Sequence, residues 1–349
     1  MIDKIAKNKT TDPYPILNSI KDIKDKLDYY RSLFGKVHDL SDAEFENLKK
    51  DISTFFNIKP VRSTKHLPEM LVRISSNNRI LKGKKLGLLT EVSQLLAPPL
   101  EFVNYGRCNI LNQQVAYCAV DLASAYWETK PQKEDVITIS TFKLKDGANA
   151  NCSVIEKEKT ENPSISHELQ EVFYLLEEFF IEVYSLPVDR NRNRDYIFSA
   201  ELSSNQLFYP VASEKNIEAI IYPSVQRQKF GHNIALKNEL LLKKYDLVSA
   251  ETVFVLDEYE NLNPESFKPT ADNMIGSLVS QDFDLQSNKI LYNDNAESLF
   301  DFFRMLQTLK SPQERYGNPQ NIHTLRFDIS LSNSSLKVDT GKLFEILNP

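Results

Sequence analysis

Gly106-Arg107-Cys108-Asn109, Val115-Ala116-Tyr117-Cys118-Ala119 and Asp121-Leu122-Ala123-Ser124-Ala125-Tyr126-Trp127-Glu128-Thr129 follow one another with five residues and then one residue between them. Gly106 marks a turn that Asn109 can fix through side-chain to backbone hydrogen bonds. Val115, Tyr117 and Ala119 share one face of a predicted strand, with Ala116, Cys118 and Val120 on the other. Asp121 stands where it can cap a short helix running to Glu128. A turn, a strand and a helix in such quick succession can bring an arginine, a phenol and a carboxylate to one cleft.

Outward from this stretch the elements stay short and varied. Val136 to Phe142 alternates as a second strand, and the polar stretch 145–163 reads as a surface loop. Ser166 is placed to cap a long amphipathic helix whose apolar stripe is Leu169, Val172, Phe173, Leu176, Phe179, Phe180 and Val183. A charged connection at 189–194 and a shorter helical piece follow. Ile217 to Tyr222 is an apolar strand broken by Pro223, with Ser224 at its end. Towards the N-terminus, Ile16, Ile20, Ile23, Leu27 and Tyr30 form one helical stripe. Ser41 and Glu44 then form a capping box ahead of Phe45, Leu48, Ile52 and Phe55, and Pro60 ends that helical extension. Beyond about residue 258 the chain reads as polar and loop-like, with a helix at 297–309 and a strand at 325–331. Strands and helices without regular βαβ alternation predict an α+β fold. The expected organisation is a helical extension over 1–62, a central domain over 63–258 and a C-terminal α+β extension over 259–349.

Composition removes several function classes. Only 9 of 349 residues are glycine, against an average usage of about 7%. Neither G-x-G-x-x-G nor G-x-x-x-x-G-K-[ST] occurs, so the common backbone cradles for dinucleotides and triphosphates are absent. With 42 Lys+Arg against 48 Asp+Glu, the chain lacks the basic surplus of a nucleic-acid binder. Cys108, Cys118 and Cys152 form no C-x-x-C pair, which suits a reducing compartment. No apolar run approaches a membrane span, and the polar, Lys-rich start has no signal-peptide core. The expectation is a cytoplasmic protein with no membrane partner.

Most familiar chemistry is also missing. The five histidines include no pair at helical spacing, so H-E-x-x-H zinc chemistry is excluded and no metal is expected. G-x-S-x-G does not occur. Glu177 and Glu178 are adjacent on a helix and diverge by about 100°, so they cannot flank a common bond. The basic run Arg79, Lys82, Lys84, Lys85 reads as surface charge, with contact to a phosphate as the alternative. Taken singly, Arg107 can pair with Glu101, Tyr117 can be core, and Glu128 can be an exposed carboxylate.

Taken in order, the segments resemble the RES-domain family, named for its Arg, Glu and Ser. The resemblance rests on an early arginine, Arg73 in Leu-Val-Arg-Ile, with Arg79 as the alternative; on Gly106-Arg107-Cys108-Asn109; on Tyr117; on Glu128; on Tyr222-Pro223-Ser224-Val225; and on Asn233-Ile234-Ala235-Leu236. It covers roughly 67–255. It implies a mixed β core with surrounding helices, related to ADP-ribosyltransferases, and chemistry on NAD. Members break the nicotinamide–ribose bond by phosphorolysis or hydrolysis, as toxins of toxin–antitoxin systems, or transfer ADP-ribose to protein. The implied site has Arg73 and Arg107 clamping the diphosphate and Glu128 stabilising charge on the ribose or holding a ribose hydroxyl. Tyr117 lies at the nicotinamide ring and Ser224 bonds the ribose or carboxamide. Gly106, Asn109, Tyr222 and Asn233 complete the cofactor-binding set. NAD is the implied substrate, inorganic phosphate a candidate co-substrate, and an antitoxin or immunity protein a candidate partner, alongside self-association. A protein ADP-ribosyltransferase and a non-catalytic NAD-binding or protein-interaction module are the alternatives.

Overall fold

The computed structural model describes residues 19–56, 62–81, 87–156, 166–189, 191–209, 216–225, 231–255 and 274–292. Along the chain run α1 (Ile20–Ser32), α2 (Asp42–Phe55), β1 (Arg62–Thr64), β2 (Met70–Ser76), α3 (Asn77–Ile80), β3 (Val115–Ala119) and α4 (Leu122–Thr129). They are followed by β4 (Val136–Leu144), β5 (Cys152–Val154), α5 (His167–Ser185), α6 (Ile197–Leu207), β6 (Ala219–Pro223) and β7 (His232–Lys237). Last come α7 (Asn238–Lys244), β8 (Tyr245–Val255), β9 (Met274–Ser280), β10 (Asp282–Asp284) and β11 (Lys289–Leu291). The fold is α+β. Its two compact units interleave along the chain: the first comprises Met1–Thr64, Val103–Gln113 and Ser153–Ile217, and the second Lys65–Phe102, Gln114–Cys152 and Glu218–Pro349. The sequence reading expects consecutive blocks instead.

The first unit is helical because its sequence supplies caps and stripes together. Ser41 and Glu44 form the expected capping box on α2, and Ser19 with Asp22 forms a second one on α1. That second box starts α1 at Ile20; Ile16 lies outside the described residues. Ser166 caps α5, its Oγ accepting from the Leu169 N–H. The apolar stripes meet in an aromatic cluster: the Phe179 ring stacks on Phe56 at 5.5 Å and meets Tyr30 at 6.0 Å and Phe198 at 6.1 Å edge-on. Phe56, the residue that caps the C-terminal end of α2, is enclosed, whereas Phe55 is half-buried. The charged connection after α5 is held by Arg192, which pairs with Asp39 at 2.7 Å and Asp195 at 2.9 Å.

In the second unit, strands are hydrogen-bonded in the order β6-β7-β3-β2-β4-β8-β9. Register fixes the faces. Tyr222 pairs with Asn233, Asn233 with Ala119, Ala119 with Val72, and Val72 with Thr141. Directly paired residues of antiparallel strands share a face, so this row lies on one side. That side is covered by α4, whose Ala123, Ala125, Tyr126 and Trp127 bury Val72, Ile74 and Ala119. The opposite face packs Leu71, Ala116, Cys118, Phe142, Ile234 and Leu236 against Tyr245 and Leu241.

Two expectations are corrected. The stretch 145–163 contains β5, where Cys152 and Ser153 are buried; a three-residue strand is too short for its alternation to stand out from polar neighbours. Past residue 258, β9 extends the sheet beside β8, and β10 and β11 form an antiparallel pair. The expected elements at 297–309 and 325–331 lie outside the described residues, as do Lys82, Lys84 and Lys85.

Within the first unit, Glu201 is buried on α6 and accepts a 3.3 Å hydrogen bond from Ser53 Oγ on α2. Burial raises its pKa, with Lys49 acting in the opposite direction. A carboxyl with a folded-state pKa above its unfolded value contributes stability at low pH that is lost as pH rises through the raised pKa. Glu201→Gln is therefore expected to raise the urea midpoint of unfolding at neutral and alkaline pH. The gain over the parent should shrink as the pH falls through the raised pKa; a gain independent of pH would contradict the assignment.

Candidate active site around Glu128

The site begins with the cap of α4. Asp121 Oδ1 accepts from the Ser124 N–H at 2.8 Å, and Asp121 Oδ2 accepts from Ser124 Oγ at 2.9 Å. This satisfies one of the free N–H groups of the first turn and fixes the Ser124 hydroxyl. At the other end Lys130 adopts a left-handed backbone and its N–H returns to the Tyr126 carbonyl, so the helix stops just past Glu128. Its apolar face is pinned on β2 and β3, and Glu128 projects from the last turn.

Three donors meet on one oxygen of that side chain. Glu128 Oε1 accepts from Ser224 Oγ at 2.7 Å, from the Val225 N–H at 3.1 Å and from Asn233 Nδ2 at 2.9 Å. Ser224 and Asn233 are buried, and Glu128 is half-buried. Oε2 makes no hydrogen bond to a described residue. A carboxylate in the last turn of a helix faces the negative end of the macrodipole, which costs about 0.3–1 kcal/mol. The three donors offset that cost and set the direction of the free oxygen.

The loop carrying Ser224 is placed by a close approach. The Ser224 N–H donates to the Gly231 carbonyl at 2.9 Å. A Cβ on Gly231 would lie 2.2 Å from Ser124 Oγ, 3.3 Å from Ser124 Cβ and 3.6 Å from Ser224 Cβ. Ser124 is fully buried and its hydroxyl is held by Asp121, so it cannot swing aside. Only glycine lets the start of β7 lie against α4 while Ser224 reaches Glu128.

The structure brings Glu128, Ser224 and Asn233 together, and register puts Tyr222 and Tyr117 on the same sheet face, Tyr222 opposite Asn233 and Tyr117 opposite Ala235. Tyr117 is half-buried, while Tyr222 is enclosed. Ser224 and Asn233 spend their donors on Glu128, so they position the carboxylate. Arg73 is not part of this group. It alternates with Val72 and Ile74 and so belongs to the opposite face, where Nε donates to the Leu95 carbonyl at 3.1 Å and Nη1 to the Tyr117 carbonyl at 2.9 Å. Arg79, the alternative, is exposed.

Gly106, Arg107 and Asn109 belong to the first unit. Gly106 and Asn109 bridge each other through their backbones, and Asn109 Nδ2 donates to the Asn104 and Ile110 carbonyls, fixing the expected turn. The Arg107 guanidinium is buried and donates to the carbonyls of Tyr184 at 2.7 Å and Leu186 at 3.0 Å, with a longer contact to Val183. It thereby caps the C-terminal end of α5, where a cation complements the helix dipole. Burial pushes the Cys108 and Cys118 thiols up to about 12, so neither is a ready nucleophile.

Two contributors escaped the sequence reading. The Val225 N–H is a backbone donor and leaves no side-chain signal. Ser124 carries a signal in its place three residues after Asp121, the spacing of a helix cap. A scan against family models finds no match for this chain, and a search of curated proteins finds none either. No described helix is long and apolar enough to cross a membrane.

Gly231→Ala is expected to separate α4 from the Ser224 loop and break the Ser224–Glu128 hydrogen bond, at a cost of about 1–3 kcal/mol for overpacking. The double variant Ser124→Ala/Gly231→Ala should recover most of that stability, since the blocking hydroxyl is gone. Thermal unfolding of the two proteins checks this; equal midpoints would show that Ser124 is not the obstacle.

Proposed function

We propose that the chain is an NAD-consuming enzyme that cleaves the bond between nicotinamide and ribose, by phosphorolysis or hydrolysis. The observation that carries the reading is the Glu128 carboxylate, with one oxygen accepting from Ser224, Val225 and Asn233 and the other bonded by none of the described residues. Departure of nicotinamide takes the bonding electron pair with it and leaves positive charge on the ribose. A fixed carboxylate oxygen beside that charge lowers the barrier, because it needs no reorganisation when the charge develops. Glu128 Oε2 can instead accept a hydrogen bond from a ribose hydroxyl and so orient the sugar. Water or inorganic phosphate then adds to the sugar carbon and gives up a proton to solvent. Tyr117 supplies an aromatic face for the nicotinamide ring.

The diphosphate clamp expected of Arg73 and Arg107 is left out of this reading, since both guanidinium groups already donate to backbone carbonyls. Support comes from the local rule that Glu128 breaks. An acidic residue at a helix C-terminus opposes the helix dipole, and three converging donors hold it there, which suits a group kept for its charge. A cellular role as a toxin or defence effector, restrained by an antitoxin or immunity protein, follows from the family resemblance and belongs to the same proposal.

The test is incubation of the full chain with NAD, with and without inorganic phosphate, followed by chromatography of the products. ADP-ribose 1″-phosphate marks phosphorolysis, free ADP-ribose marks hydrolysis, and label on protein marks transfer. Glu128→Ala is expected to lower kcat by about 100-fold or more, while Ser224→Ala and Asn233→Ala lower it less. NAD left intact under every condition, or a Glu128→Ala protein as active as the parent, would sink the proposal.

A further inference from the structure

On the sheet face away from Glu128, one transverse row places Cys118 opposite Arg73 and Arg73 opposite Ser140. The Arg73–Ser140 pairing is direct, and the Val72–Ala119 pairing sets Cys118 beside Arg73. The Arg73 guanidinium uses Nε and Nη1 on the Leu95 and Tyr117 carbonyls, and Nη2 donates to no described residue. No carboxylate pairs with it among the described residues. Burial lowers its pKa, so the surrounding protein disfavours the cation rather than compensating it. A guanidinium partly withdrawn from water without a counter-charge is destabilising.

Ser140, its neighbour in register, is fully buried, and its Oγ has no hydrogen-bond partner. The other polar side chains on this face are paired: Ser75 Oγ donates to the Gln94 carbonyl, and Thr138 bonds Asn77 and Thr252. Cys118 is buried beside Arg73 and remains a thiol, so it carries an S–H donor. Arg73 keeps part of its surface exposed, which leaves a way in.

We propose that Arg73, Ser140 and Cys118 form a binding site for a small monovalent inorganic anion of the halide class. One unpaired positive charge calls for one negative charge. The guanidinium N–H, the unpartnered Ser140 hydroxyl and the Cys118 thiol can each turn a hydrogen towards a spherical ion, and no carboxylate among the described residues competes for the guanidinium. The site lies on the face opposite Glu128, so the anion is a structural ligand that ties β2, β3 and β4 to the segment carrying Leu95, and it stands independently of the NAD reading.

The test compares thermal unfolding of the full chain in sodium chloride and in sodium gluconate at equal ionic strength. The parent should unfold at a higher temperature as chloride replaces gluconate, because an ion bound only by the folded state stabilises it by mass action. Arg73→Met should abolish the chloride increment, and Arg79→Met, an exposed arginine nearby, should keep it. Ser140→Ala should lose part of the increment in chloride yet be no less stable than the parent in gluconate, since it removes an unpartnered hydroxyl. Crystals soaked in bromide should show an anomalous peak between Arg73 Nη2 and Ser140 Oγ. Equal midpoints in the two salts, an unchanged increment in Arg73→Met, or ordered water without a bromide peak would overturn the proposal. Should Arg73→Met fail to fold, Ser140→Ala and the bromide map decide.

Discussion

One carboxylate oxygen, Glu128 Oε1, ties together the last turn of α4, the end of β6 and the start of β7. The helix lies far in sequence from the two strand ends, and each piece is otherwise held by its own local device. The helix has its Asp121 cap and its apolar face on β2 and β3; the loop has the Ser224–Gly231 backbone bond; β7 has its ladders to β3 and β6. The carboxylate converts three separately stable pieces into one geometry. A side chain without an acceptor in the same place would leave buried donors on Ser224 and Asn233 unsatisfied, at roughly 1–3 kcal/mol each.

Most capping residues were legible in the sequence, because each cap is a contact between residues three apart, although the Ser19–Asp22 box and the partner of Asp121 were not read. Ser41 with Glu44, Asp121 with Ser124, and Ser166 with Leu169 all appear where residue type and spacing put them. The order of Tyr117, Glu128, Ser224 and Asn233 along the chain also anticipated a cluster. What they do within it was less legible. Ser224 and Asn233 read as ligand-facing groups, yet both aim inward at Glu128, since a buried amide and hydroxyl must find acceptors before any ligand arrives.

The arginines show the limit most clearly. Alternation along β2 already separates Arg73 from Val72 and Ile74, but which face receives α4 depends on pairing with β3 and on the helix that follows it. Neither is visible from the four residues Leu-Val-Arg-Ile. Arg107 finds its acceptors at the end of a helix more than seventy positions away, and no local pattern encodes which carbonyls a helix leaves free. β9 was missed for a related reason. An edge strand needs only one ladder, and the polar sequence before it masks the change in pattern.

Scarcity of glycine bears on the site in a different way from the one composition suggests. Backbone cradles need several glycines so that amides can approach a ligand. Here the one backbone amide at the centre, that of Val225, points at Glu128 instead, and a single glycine, Gly231, is spent on close packing against Ser124. Because the Ser124 hydroxyl is locked by Asp121, the helix cap, the glycine contact and the carboxylate form one chain of dependence. Whatever binds at Oε2 meets a charge whose position is set by side chains and packing, and the tolerance of that position is as narrow as the space a methyl group would need.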